Sequence, residues 1–375
     1  MKYYLGVTVL ILLMFSCSQS EKKKDESNGS KTTATKKLKD GMILDGKSTA
    51  LYTGKPGQLV IVSENTIYTD EVAVLFDSIF GQFIRPYYPP EPKFEIFPRT
   101  KSDFEKGSKS LRNLIFLELD LSIPAGEPML IIKKNYYSRT QLIAEFKANN
   151  MNDLYALIED RIEKVYDMFD TQEWKREYLR HKKANNQVVK KKLRKQFGIE
   201  FEIQSKAHYE SKDNMYAHII LPERSRQMEL EAGGGYNSTK ANFIQSGIMV
   251  WQYDFKDSSQ LTPAYLMRAR DSILKKYAKH EIEGIYMGTQ DHPAVVPVHE
   301  KFQIGDIVGY QFRGLFKFTG RMEPSGGKFW SFHFLHPKTN RIVAVSGYLD
   351  APPTMSASLD LRKIQAIIYS LKIAE

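Results

Sequence analysis

Cysteine is almost absent from the sequence, and long apolar runs are scarce. Cys17 is the single cysteine among 375 residues. If the thiol of Cys17 is modified within the N-terminal segment, the folded part of the chain has no thiol. Disulfides, thiol nucleophiles and cysteine-ligated metals are then excluded there. After the N-terminal segment, no apolar run approaches the ~20 residues that a membrane-spanning helix needs. The sequence therefore predicts a soluble body behind its N-terminus, and its 42% hydrophobic content indicates real cores.

The first 17 residues have the pattern of an export signal. Residues 1–16 read MKYYLGVTVLILLMFS, with Lys2 as a positive start and an apolar run from Leu5 to Phe15. A run of this length fits the core of a signal peptide and is too short to span a bilayer. Residues 14–17, MFSC, resemble the lipobox of bacterial lipoproteins, in which a small residue precedes the acylated cysteine. We predict cleavage before Cys17 and lipidation of Cys17. The alternative is a chance cysteine in an ordinary signal peptide or membrane anchor.

A polar segment surrounds and follows this cysteine. Residues 17–47 contain no aromatic side chain and show no hydrophobic period, so they are predicted to form a disordered tether. A multiply acylated cysteine would supply the two signals that stable anchoring needs, at ~0.8 kcal/mol per buried methylene. The chain has Ser18, not an acidic residue, directly after the cysteine, and in this it resembles lipoproteins that are sent to the outer membrane. We expect the outer membrane, at its periplasmic face rather than at the cell surface.

The positive charge of the chain is concentrated in one segment. The formal net charge is +10, and the segment from Lys175 to Lys195 holds ten basic residues against Glu177 alone. This segment lies in a predicted basic helical linker or hairpin at 171–196, interrupted near Asn185. It could contact anionic lipid, lipopolysaccharide or another polyanion, and a solvated helical face is the alternative interpretation. The candidate anion contacts are Arg180, Lys182, Lys183, Lys190, Lys191, Lys192, Arg194 and Lys195.

Residues 48–170 are predicted to form an N-terminal α+β domain. Strands are expected at 58–63, 93–98, 113–119, 129–134 and 140–148. One helix is predicted to begin with Asp70 as its cap, and a second to run from a cap at Asn152 through Phe169. Apolar residues recur at helical spacing in both segments.

Residues 197–375 are predicted to form a C-terminal domain of antiparallel sheet plus helices. Strands are expected at 198–204, 216–222, 246–255, 309–318, 328–336 and 341–351. Thr262 is the expected cap of a helix in which Pro263 takes the first position, and a last helix ends near Leu371. The predicted fold class is therefore α+β, with two domains of mixed or antiparallel sheet packed with helices.

Six stretches of the chain carry a resemblance to a known family. They are RNLIFLEL (112–119), TPAYLMRARDSILKKY (262–277), EGIYM (283–287), RGLFKF (313–318), SGYLDAP (346–352) and LRKIQAIIYSL (361–371). They resemble uncharacterised Bacteroidota lipoproteins that share a domain of unknown function, from about Gly54 to the end. The chain departs at Phe316, where a tryptophan is expected. The resemblance implies an envelope location and assigns no activity and no functional residue. The order of elements in the second domain is similar to the PsbP/Mog1-like sandwich, a fold used by binding proteins.

No catalytic or metal-binding constellation stands out in the sequence. His280-Glu281 and His299-Glu300 lack the second histidine of a metalloprotease motif. His292 and His299 flank a proline-containing loop, and exposed loop histidines are preferred there over a metal site. We therefore predict no catalytic residue, no metal and no cofactor.

Aromatic residues alternate along two predicted strands near the C-terminus. The first strand places Tyr310, Phe312, Phe316 and Phe318 on one face, and the second places Trp330, Phe332 and Phe334 on one face. A ligand groove would be apolar like these faces, but a plain core is the preferred interpretation. Arg313 projects opposite the first set, where a structural ion pair is preferred over a ligand contact.

The sequence as a whole favours a lipid-anchored cell-envelope protein with a non-catalytic role in binding or assembly. Its expected contacts are the membrane through lipid on Cys17, an anionic lipid or lipopolysaccharide surface, and an envelope protein partner; we expect no nucleic-acid partner. The alternative is an envelope enzyme whose site is assembled from residues far apart in the sequence.

Overall fold

Two main sheets organise the described part of the chain. A computed structural model describes residues 34–38, 41–105, 108–232, 236–320, 326–352 and 355–375. The described residues form six helices and sheets of mixed and antiparallel strands, with 30% helix and 37% strand. The predicted α+β class is confirmed. The predicted signal peptide and Cys17 lie outside the described residues.

The first sheet has seven strands of mixed direction. They are β1 (Ala34–Leu38), β2 (Gly41–Asp45), β3 (Gln58–Val62), β4 (Glu95–Arg99), β5 (Asn113–Leu119), β6 (Met129–Lys134) and β7 (Leu142–Ala148). Across the sheet the order is β1-β2-β6-β7-β5-β3-β4. Strands β4, β3, β5 and β7 are mutually parallel, and β2 is parallel to β6. The β1/β2 and β6/β7 pairs are antiparallel.

The centre of this sheet is covered on both faces. Residues 59–62 of β3 are each at most 2% exposed. A continuous apolar strand of this kind is typical of a sheet with packing on either side. One face packs against α1 (Asp70–Ile79) and α3 (Met151–Lys183), and the other packs against α2 (Lys101–Glu105).

The predicted tether at 17–47 is too long. Its last part forms β1 and β2, and β2 pairs with β6. Ile43 packs against the core of the first sheet. The prediction is wrong here because an edge strand is held largely by backbone hydrogen bonds, which a mostly polar sequence can also make. The part of the predicted tether before residue 34 lies outside the described residues.

Two helices are capped by residues that precede the predicted caps. Thr69, rather than Asp70, caps α1, and its hydroxyl accepts a hydrogen bond from a backbone N–H of the first turn. Asn150, rather than Asn152, caps α3, and its side-chain oxygen accepts a bond from the Asp153 N–H at 3.0 Å. Each cap satisfies an N–H group that has no partner within the helix.

Helix α3 runs for 33 residues, well past the predicted end at Phe169. Its second half is polar, yet Glu173, Arg176 and Glu177 are each at most 3% exposed. Arg176 donates to Glu173 at 2.6 Å and to backbone carbonyls at the end of the first sheet. A buried ionic network thus replaces the apolar stripe in this half. The predicted break near Asn185 is present, and α4 (Gln187–Phe197) begins after it.

The second sheet is antiparallel throughout. Its strands are β9 (His208–Asp213), β10 (Tyr216–Ile220), β11 (Arg224–Ala232), β12 (Tyr236–Asp254), β13 (Tyr286–Thr289), β14 (Val298–Ile304), β15 (Ile307–Thr319), β16 (Gly326–Leu335) and β17 (Arg341–Asp350). The main order is β13-β15-β16-β17-β12-β10-β9, with β11 beside β12 and β14 beside β15. The predicted strand at 198–204 is reduced to β8 (Ile199–Glu200), which pairs with β18 (Lys372–Ile373). Phe201 and Ile203 pack into the core instead of extending a sheet.

Helices cover both faces of the second sheet. α5 (Pro263–Tyr277) packs on one face, which we call the α5 face. α4 and α6 (Ser358–Tyr369) pack on the other, the α6 face. The cap predicted at Thr262 is confirmed, since its side chain accepts a bond from the Tyr265 N–H at 3.4 Å.

The two sheets are joined through α3, α6 and the segment before β4. Residues 34–375 form one compact unit. The Tyr87 hydroxyl donates to the Phe329 carbonyl at 3.1 Å, and Lys328 lies 3.1 Å from Glu91. Apart from the end of the tether, the predicted domain boundaries stay a prediction. Within the described ranges, no helix combines the length and the apolar character that crossing a membrane requires.

Candidate functional site

A large cleft lies on the α5 face of the second sheet. It has a volume of ≈ 790 Å³ and opens between the end of α5 and strands β9, β10, β15 and β17. We call it the aromatic cleft. Its ring-bearing lining residues are Tyr216, His218, Tyr277, His280, Phe316, Phe318 and Tyr348.

A histidine and a tyrosine meet at the centre of this cleft. His218 Nε2 lies 3.0 Å from the Tyr348 hydroxyl oxygen. His218 belongs to β10 and Tyr348 to β17, and β12 lies between these two strands. Gly247 of β12 makes this contact possible, because a Cβ there would lie 2.6 Å from the Tyr348 ring and 2.9 Å from the Ile219 carbonyl oxygen.

Burial keeps both groups of this pair neutral. It lowers the pKa of His218, an effect that Glu210 opposes and Lys212 reinforces. Burial also raises the pKa of Tyr348 to about 12, with further contributions from Asp350 and Glu210. At neutral pH the cleft therefore presents an uncharged imidazole–phenol hydrogen bond rather than an ion pair.

The end of α5 forms one wall of the cleft. Tyr277, its last residue, stacks on Tyr216 with ring centroids 4.7 Å apart and planes 3° from parallel. The Tyr277 hydroxyl donates to Asp213 at 2.5 Å, and Lys212 donates to the Tyr277 carbonyl at 3.1 Å. These two hydrogen bonds hold Tyr277 at its hydroxyl and at its backbone carbonyl, which fixes its ring against Tyr216.

The opposite wall comes from one of the two aromatic strand faces. Phe316 and Phe318 of β15 meet edge to face at 5.7 Å and line the cleft. Phe312 of the same strand is 1% exposed and packs in the core. The preferred core interpretation therefore fits Phe312, and it also fits the aromatic set of the next strand, including Trp330, which packs in the core on the α6 face.

The cleft residues match part of a family model. Residues 186–370 match DUF4837, a domain of unknown function. Residues 53–182 match a second domain of unknown function, DUF8532. Every residue that lines the aromatic cleft falls within the DUF4837 match. A search of curated proteins finds no match.

Two solved structures resemble part of the chain at a low level. A mutant of the protein Mog1 matches with 12% identity and a TM-score of 0.29, covering 48% of this chain and 92% of that one. The Ran-binding protein Mog1p of Saccharomyces cerevisiae matches with 11% identity and a TM-score of 0.29, covering 48% of this chain and 91% of that one.

Within the DUF4837 match, sequence reasoning missed His218, Tyr348 and Glu210. Glu210 and His218 lie on consecutive strands, β9 and β10, whereas Tyr348 lies on β17, 130 positions after His218, so no local motif contains all three. A usable signal exists at His218, a polar residue in the middle of the apolar run YAHIILP. His280 lines the cleft, but no group of three or more His, Cys, Asp or Glu among the described residues could hold a metal ion.

The predicted anion contacts are only partly available. Lys190 is 9% exposed, and its Nζ lies 3.0 Å from Glu202 and 3.4 Å from Glu200. It therefore does not belong to the surface, because its stem is packed and its charge is paired. Arg180 and Arg194 are exposed but pair with carboxylates. The remaining exposed candidates, which we call the basic surface, are Lys182, Lys183, Lys191, Lys192 and Lys195.

Proposed function

We propose that this chain is a lipid-anchored cell-envelope protein that binds a ligand in the aromatic cleft and performs no chemistry on it. The observation that carries the proposal is the ≈ 790 Å³ cleft, in which tyrosine and phenylalanine rings share the lining with polar and charged side chains. Pockets for small molecules are mostly apolar, with a small number of polar groups that orient the ligand.

The cleft fits a partly apolar ligand with one polar end. Phe316, Phe318 and the Tyr216–Tyr277 stack offer flat apolar surfaces. The His218–Tyr348 pair offers a donor and an acceptor without a net charge. The polar end would therefore bind by neutral hydrogen bonds, and the apolar part would supply most of the affinity.

We favour a non-catalytic role over an enzyme because the described hydrogen bond of His218 is to Tyr348 and not to a carboxylate that would orient the imidazole as a general base. The shifted pKa values of His218 and Tyr348 have burial as their largest cause, and both groups stay neutral. A general base or nucleophile near neutral pH needs a pKa close to the working pH or an activating partner. The competing proposal is an envelope enzyme, and it draws on the same meeting of the β9–β10 hairpin with the sequence-distant strand β17 at one cleft.

The envelope location of this proposal rests on the N-terminal sequence. The apolar run before Cys17 and the uniqueness of that cysteine support export and lipidation. The polar residue after the cysteine supports the outer membrane, with the body on the periplasmic side. An envelope protein could be the partner that receives or delivers the ligand.

The basic surface supports an orientation of the body on the membrane. Each of its five lysines, if close to anionic lipid or lipopolysaccharide, is worth ~1 kcal/mol, screened over ~8 Å at physiological salt. These lysines are exposed, as docking requires. The lipid would then set the distance of the body from the membrane, and the lysines its orientation.

Native mass spectrometry of the protein purified from its own envelopes tests the ligand proposal. We expect a bound small molecule that is retained by wild type and depleted in Tyr348→Phe and His218→Gln. Tyr136→Phe is the matched control, because Tyr136 belongs to the first half of the chain, does not line the aromatic cleft and is 42% exposed. Equal retention in all variants would place the ligand elsewhere. Conversion of the released molecule by fresh protein would favour the enzyme.

A further inference from the structure

A second cleft lies where the two halves of the chain meet. It has a volume of ≈ 260 Å³ and is lined by α3, α6, β14, β15, β16 and the segment before β4. We call it the junction cleft. It lies on the α6 face of the second sheet, whereas the aromatic cleft lies on the α5 face. The two sites are therefore independent.

Four cationic side chains line the junction cleft, namely Arg85, Lys93, Arg313 and Arg362, and of the last three only Arg362 has a close carboxylate. Arg362 Nη1 lies 2.5 Å from Asp170 Oδ1. The carboxylate nearest to Arg313 is Glu300, at 3.5 Å. Lys93 Nζ donates at 3.0 Å to the side-chain oxygen of Gln82, a neutral amide. Two positive charges thus face the cleft with weak or neutral partners.

Two N–H donors at the same place are buried and unused. Arg313 Nε and Trp330 Nε1 have no hydrogen-bond partner among the described residues. Trp330 is 5% exposed, and the Arg313 guanidinium carbon lies 5.3 Å from its ring centroid. Buried N–H groups are normally satisfied by protein, water or a ligand. Both residues line the cleft, so a group bound there could accept these bonds.

The positive groups in this cleft also destabilise one another. Burial lowers the pKa of Lys93, and both Arg313 and Arg362 lower it further, against the opposing effect of Asp170. An anion between these cations would relieve that repulsion. Aromatic side chains complete the walls, since Tyr369 meets the Trp330 ring at 6.1 Å and Phe302 stacks on Tyr369 at 5.0 Å.

We propose that the junction cleft binds a small organic carboxylate, with its oxygens on Arg313 and Lys93 and its apolar body against the rings of Trp330 and Tyr369. The planar guanidinium fork matches a carboxylate in two parallel hydrogen bonds. The small volume restricts the apolar body to about one ring. A bulky ligand would not fit this volume, and a neutral ligand would leave the cations without a counter-charge.

Calorimetric titration of the full chain in detergent tests this site with defined probes. Benzoate, benzamide and inorganic phosphate are compared at millimolar concentrations, with tryptophan fluorescence as a second readout. We expect benzoate to bind more tightly than neutral benzamide, and also more tightly than phosphate, which lacks the ring. Loss of a charge-assisted hydrogen bond in Arg313→Gln should weaken benzoate roughly ten- to a hundredfold.

A matched variant and a second cation keep the test decisive. Lys301→Gln removes a positive charge next to Glu300 on β14, but its side chain points to the opposite face, so benzoate binding should not change. Lys93→Gln should weaken benzoate even if Arg313→Gln does not fold. The proposal is overturned if benzoate does not bind or binds no better than benzamide or phosphate. Equal effects of Lys93→Gln and Lys301→Gln would overturn it as well.

Discussion

Two buried histidines should make the fold sensitive to mild acid. His181 of α3 is 2% exposed and His333 of β16 is 1% exposed. Burial lowers the pKa of His181 to about 4, with Lys363 and Arg180 adding to the effect. Burial, with Arg270, lowers the pKa of His333 to about 3. Both side chains therefore stay neutral in the folded protein at pH 5.

The direction of the pH effect follows from proton binding. An unfolded histidine has a pKa near ~6.5 and takes up a proton as the pH falls through that value. The folded histidines do not, so acidification favours the unfolded chain, and stability is lost between ~6.5 and the folded pKa values. At pH 5 each histidine costs ~2 kcal/mol relative to neutral pH, and the pair costs ~4 kcal/mol.

Urea unfolding of the chain from Ala34 onward, at pH 7 and pH 5, measures this cost. His181→Gln and His333→Gln should each remove ~2 kcal/mol of the difference between the two pH values, whatever they do to stability at pH 7. His208→Gln is the control, because its imidazole is 71% exposed. If all three variants keep the wild-type difference, the buried histidines do not govern the acid response and the reasoning is wrong.

Four further outcomes are expected. Cys17→Ser should leave the protein unlabelled by radioactive fatty acid and absent from membranes; continued labelling would show that the cysteine is not the anchor. Glu173→Ala should cost ~3–5 kcal/mol in urea unfolding, because it leaves two buried arginines unpaired; an equal cost for the exposed Glu159→Ala would contradict this. Chelator should not change the melting temperature, and a clear fall would reveal a metal site. Binding to anionic vesicles should be salt-sensitive and should weaken when Lys191, Lys192 and Lys195 of the basic surface are replaced by glutamine. Unchanged binding would show that these lysines form only a solvated face.

The parts of the fold that the sequence predicts well are those with a local cause. The strands Asn113–Leu119 and Met129–Lys134 agree with their predicted bounds because each is a short apolar run between turn residues. The start of α5 agrees because Thr262 and Pro263 act within one helical turn. The α+β class follows from such local elements.

The parts that the sequence does not predict depend on distant contacts. The polar half of α3 reads as a linker, because nothing near Glu173 in the sequence announces that Arg112 and Asn113 will bury it. The His218–Tyr348 pair joins residues 130 positions apart and is created by the order of the strands. Sequence period reports which face a residue takes, but strand order decides which residues share that face.

The contacts between the two halves of the chain have a consequence for how the halves can evolve. Asp170 meets Arg362, Trp174 meets Tyr369 and Glu91 meets Lys328. Either half placed beside an unrelated neighbour would bury charges without counterparts, so the halves are poor candidates for shuffling as separate cassettes. A substitution on one side of such a contact is tolerated only when its partner on the other side changes with it. Among relatives that carry both halves, we expect the residue at 170 to vary together with the residue at 362.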